Sequence, residues 1–160
     1  MVMVIKRGGG FGLVAALAQL PLLGLGLVAA TQPVASSLLF GALEMISLLV
    51  ISGLVLYLYA RIGQITAQQT ERIVPGGIGG MIAGMLTGGF IVVWAAVLQH
   101  NAFHVYRMLA GKGQPPAGLP VLNGWNIAVF LCGYALVGAI FSFIGAIIGR
   151  RAEVQRREDN

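Results

Sequence analysis

Glycine recurs at every fourth position as Gly76, Gly80, Gly84 and Gly88, inside an apolar stretch that runs on to Leu98. In a water-exposed helix each of these glycines costs roughly 1 kcal/mol against alanine. Inside a bilayer the same spacing strips one helix face of side chains, so that a neighbouring backbone can approach closely. The stretch therefore predicts a transmembrane helix with glycine-zipper packing.

Three further stretches are long and apolar enough to cross a bilayer, and the four together are Phe11–Thr31, Ser37–Ala60, Gly76–Leu98 and Trp125–Gly149. Only 9% of the 160 residues are charged and the mean hydropathy is +0.88. A soluble domain carries about a quarter charged residues, so this chain lacks the means to cover a water-facing surface. The fold class expected is an all-α integral membrane protein, a single four-span domain over residues 1–160. The spans leave no room for a separate soluble domain.

The net charge of +5 resolves into a topology signal once its residues are located. Lys6 and Arg7 precede the first span, Arg61 and Arg72 separate the second from the third, and Arg150, Arg151, Arg156 and Arg157 follow the fourth. Between the third and fourth spans there are only Arg107 and Lys112. The excess of basic residues on one side predicts cytoplasmic N- and C-termini. The expected location is a bacterial plasma (inner) membrane. Lys6-Arg7, the following apolar run and Val28-Ala29-Ala30 also resemble a secretory signal, but the run is longer than a usual signal core. It reads better as a true span. Cys132, the single cysteine, falls inside the fourth span and has no internal disulfide partner.

Between and within the spans, several residues set the local path. Gly8-Gly9-Gly10 predicts a flexible lead-in to the first helix, and Pro21 a kink within it. The polar run from Arg61 predicts a helical extension into the cytoplasm, stopped by Pro75 and Gly76. The third helix is expected to continue past the hydrocarbon through His100, His104 and Met108. A long outer loop then leads to Trp125.

Small residues predict which helices touch. Gly76, Gly80, Gly84 and Gly88 form one row of the third helix, and Gly79, Ala83 and Thr87 a second row on another face. On the fourth helix, Gly138, Ser142 and Ala146, then Gly145 and Gly149, match them in depth. The expectation is a tight contact between the third and fourth helices. Their outer halves carry Phe90, Trp94, Trp125, Phe130 and Tyr134, whose bulk should splay the two helices apart. The resulting wedge, near the depth of Glu44, would hold a lipid, a pigment or a helix of a partner.

Glu44 is the only acidic residue inside a span, roughly 10 Å from the outer end at 1.5 Å per residue. An ionised carboxylate there is costly, so Glu44 is a candidate for an ion, ligand or partner contact. Its helix face also carries Ser37, Gly41, Ser47 and Ser52. Gln19 and Asn126 are polar enough to bond across helices and join it as candidates. His100 and His104, four residues apart, share a helix face and are spaced to ligate a metal or a pigment.

No catalytic motif is present. Gly77-Ile78-Gly79-Gly80 does not complete a dinucleotide fingerprint, and Gly111-Lys112 lacks the upstream glycine of a phosphate loop. Basic residues are not interleaved with aromatics as in nucleic-acid binders, so no nucleic-acid partner is expected. The function expected is that of a small non-catalytic integral subunit that assembles or stabilises a larger membrane complex. Its partners would be other integral membrane proteins, a second copy of itself, and lipids. No cofactor is required by the sequence. The alternatives are a small transporter or channel using Glu44, and a cofactor- or pigment-binding anchor using His100 or His104.

Overall fold

The computed structural model describes residues 2–21, 37–110 and 123–158. Among them the regular structure is entirely helical: α1 Val2–Leu17, α2 Ser37–Thr70, α3 Val74–Ala110 and α4 Gly124–Glu158. At 1.5 Å per residue the three long helices reach about 50–55 Å, well beyond a hydrocarbon core of about 30 Å. Within them, Met45–Thr70, Val74–Val97 and Gly124–Ala152 are long and apolar enough to cross a membrane. The first expected span, Phe11–Thr31, lies outside the described residues from Leu22 onward. The loop at 111–122 also lies outside them.

Each helix end has a local cause. Asn123 caps α4, its side-chain oxygen accepting from the Asn126 N–H at 2.8 Å. Thr70 closes the last turn of α2 by donating to the Thr66 carbonyl at 2.7 Å. Glu71 then adopts a left-handed backbone with φ of 55°, and α3 begins only three residues later. Here the sequence expectation needs correction, because α2 stops before Pro75 instead of at it. Pro75 sits in the first turn of α3, where its missing N–H has no helical partner to lose. Gly8–Gly10 also depart from expectation, since they are helical and belong to α1. After Leu17 the backbone tightens, with the Gln19 N–H donating to the Ala16 carbonyl at 3.1 Å. Pro21 has no N–H for the Leu17 carbonyl, which accounts for a break at this point.

Helix directions follow from the closest backbone approaches. Gly8 lies against Gly79 and Gly12 against Ala83, so α1 and α3 run the same way. Gly80 meets Gly138 and Ser142, Gly84 meets Tyr134, and Gly88 meets Phe130, so α4 runs opposite to α3. Gly145 abuts Ala60 and Gly149 abuts Gln64, making α2 and α4 parallel. Lys6, Arg7, Arg61, Arg72, Arg150 and Arg151 therefore gather toward the end of the bundle that holds the α2–α3 turn. Arg107 belongs to the opposite end.

The interior is made of small residues around two larger ones. Ala15, Ala83, Thr87, Ser142 and Ala146 are fully buried, with Tyr59 and Ile62 among them. Leucine, isoleucine, valine and methionine cover the outside, Leu49 being 70% exposed. Water would make such a surface unstable, whereas hydrocarbon solvates it and leaves close packing of small side chains to hold the helices together. The molecule is a membrane-embedded helical bundle.

Candidate functional site

The closest packing lies where α3, α4 and α2 converge. A Cβ on Gly80 would overlap the Gly138 carbonyl oxygen and the Ser142 Cβ, and one on Gly84 would overlap the Tyr134 carbonyl oxygen. Gly76 and Gly88 are less severely confined, with a Cβ meeting Ala146 Cβ at 2.9 Å and Tyr134 Cβ at 3.1 Å respectively. Ser142 adds a buried bond across the seam, its hydroxyl donating to the Gly76 carbonyl at 2.7 Å. Small residues are required at these points because two backbones occupy the space a side chain would need.

The sequence-derived rows on α4 divide between two neighbours. Gly138 and Ser142 face α3, as expected. Gly145 and Gly149 face α2 instead, against Ala60 and Gln64. Spacing reports that a helix face is smooth but not which helix fills it. Gly63 was not singled out by sequence at all, yet a Cβ there would overlap the Ser142 carbonyl. It lies in the polar end of α2, where its four-residue spacing to the buried Ala67 was the available signal. Gly8 and Gly12 show the same spacing, which was the signal for the α1–α3 contact.

Away from this seam, a cavity of about 240 Å³ opens between α2 and α4, beside the turn that follows α1. Gln19, Ser52, Tyr59 and Tyr134 contribute polar side chains to its wall, and Leu48, Val55 and Val137 apolar ones. Gln19 is only 8% exposed. Tyr59 is enclosed, and its hydroxyl makes no hydrogen bond of acceptable geometry although it faces Thr87. The Thr87 hydroxyl donates to its own helix, at the Ala83 carbonyl 2.9 Å away. With apolar walls and uncharged hydrogen-bonding groups, the cavity suits a largely apolar, neutral occupant.

This location differs from the expected wedge. Contact between Gly88 and Phe130 holds α3 and α4 together as far as the end of the smooth half, and the cavity falls on the α2 side of α4. Two of the five aromatic residues are accommodated outward: Trp125 is 75% exposed and Phe130 is exposed as well. Trp94 instead turns its ring nitrogen into a buried position without a partner.

Among the described candidate polar residues, Gln19 alone lines the cavity. Glu44 is in α2, one helical turn before Leu48, and its side chain lies outside the described residues. Asn126 is in the first turn of α4, away from the cavity wall. His100 is exposed on α3, and the side chain of His104 lies outside the described residues. No family model, curated protein or solved structure matches the chain.

Proposed function

We propose that this protein is a small non-catalytic membrane subunit, with cytoplasmic termini, that receives a helix of a larger membrane complex along the outer half of α2. The observation that carries this reading is the exposure of one broad apolar side of that half. Leu43, Met45, Ile46, Leu49, Val50 and Leu54 are all exposed, whereas the other half of the same helix buries Val55, Tyr59, Ile62 and Ala67. A helix packed at one end and open at the other offers a surface for docking, and the neighbouring cavity has room for inserted side chains. The basic residues gathered at one end support the orientation.

Photo-crosslinking in native membranes tests the assignment. A photoreactive residue at Leu49 is expected to capture one discrete membrane polypeptide, identified by mass spectrometry. The same probe at Ile148, exposed on α4, should capture chiefly lipid. An adduct of twice the chain mass would identify a second copy as the partner. Lipid adducts alone at both positions would refute the subunit reading.

A further inference from the structure

A second recess, of about 670 Å³, lies where α4 leaves its apolar segment. Its wall joins Ile73, from the α2–α3 turn, to Ile147, Arg150, Arg151, Val154 and Gln155. The five α4 residues are spaced i, i+3, i+4, i+7 and i+8, which is one continuous face of a helix. Along that face the chemistry changes within a single turn, from isoleucine to paired guanidinium groups. Arg150 and Arg151 are the first charged residues of α4, and they fall at the end of its apolar segment, which closes at Ala152.

We infer that this recess binds the phosphodiester headgroup of an anionic phospholipid, with the upper part of an acyl chain along Ile73 and Ile147. Three features converge on that occupant. Arginine presents a planar fork of donors that fits two phosphate oxygens, and two adjacent arginines share one mouth. Ile147 lies one turn to the membrane side of those arginines, in the order that a lipid presents its chain and phosphate. The third is the start of α3 at Val74, one residue after Ile73, which brings the positive end of that helix to the rim. A free phosphate would use the arginines but leave both isoleucines uncovered, and a zwitterionic lipid would bring its own cation into the cluster. The site is independent of the partner surface on α2.

Native mass spectrometry of the detergent-purified chain tests the site, using phosphatidylglycerol, phosphatidylcholine and inorganic phosphate as separate probes. Phosphatidylglycerol is expected to remain bound about tenfold more than phosphatidylcholine, as one or two charge-assisted bonds would give. Arg150→Gln with Arg151→Gln should remove that preference. Arg61→Gln with Arg72→Gln, which deletes as many charges outside the recess, should retain it. Arg150→Lys with Arg151→Lys keeps the charge but loses the fork, and an intermediate preference is expected. Equal loss in the two glutamine pairs would reduce the effect to general attraction by a basic surface and overturn the inference. Displacement of the lipid by millimolar inorganic phosphate would overturn it too, by showing that the chain contributes nothing. The comparison of the two lipids on the unmodified protein needs no variant, and equal retention there is decisive against the site.

Discussion

Adding one methyl group at Gly80 tests the packing argument most directly. Gly80→Ala places a Cβ into the Gly138 carbonyl oxygen and the Ser142 Cβ, both on α4. Neither obstacle is the end of a flexible side chain, so relief requires the helices to separate. Overpacking of this kind costs about 1–3 kcal/mol. Separation also stretches the Ser142–Gly76 hydrogen bond, which contributes about 0.5–1.5 kcal/mol. Together the expected destabilisation is about 1.5–4.5 kcal/mol. Gly133→Ala is the matched control, because a Cβ there meets nothing within 4 Å. The control should range from no change to a gain of about 1 kcal/mol from helix propensity. Titration of mixed micelles with sodium dodecyl sulfate, followed by tryptophan fluorescence and circular dichroism, orders the three proteins. Coincident transitions for Gly80→Ala and Gly133→Ala would refute the claim that backbone approach at the seam holds α3 to α4.

Other consequences are open to similar checks. With Cys132 replaced by serine, single cysteines at Gln68 and Gln155 should be shielded from an impermeant reagent in intact cells, and one at Pro116 should react; the reverse pattern would invert the topology. Tyr59→Phe removes a buried hydroxyl that makes no hydrogen bond of acceptable geometry, so stability should change by less than about 1 kcal/mol in either direction. A loss well beyond that in the same unfolding titration would show that the hydroxyl has a partner after all. Glu44→Gln should preserve co-purification of the partner complex, whereas Glu44→Leu should weaken it modestly. Ion or proton flux through liposomes containing this chain alone, abolished by Glu44→Gln, would favour transport over the subunit reading.

How far the sequence reaches is best judged at particular residues. The three spans within the described residues follow from apolar length, since a helix must match the hydrocarbon thickness whatever it packs against. Gly80, Gly84 and Gly138 lie at close backbone approaches, which a four-residue repeat of small side chains permits. Gly145 and Gly149 were legible as contact residues but not as contacts of α2, because smoothness carries no address. Pro75 misled for a related reason: proline ends one helix and begins another with equal ease, and the left-handed Glu71 that decides the matter is not a glycine. Gly8–Gly10 suggested flexibility on intrinsic propensity, which the packing of Gly8 against Gly79 overrides. The cavity beside Gln19 depends on how whole helices tilt, and no local pattern encodes that.

Gly63, Gly76 and Ser142 meet at a single crossing, and the described bundle is drawn together there more closely than at its far end. Mechanically the crossing is a fulcrum. From Gly63 to Glu44 the α2 backbone extends nineteen residues, a lever arm of about 28 Å. A tilt of about ten degrees at the crossing would carry the Glu44 backbone sideways by about 5 Å, while side chains around Gly63 barely moved. A helix adjusts its tilt when the bilayer thins or thickens. Any such tilt of α2 would be felt most at the end far from the crossing.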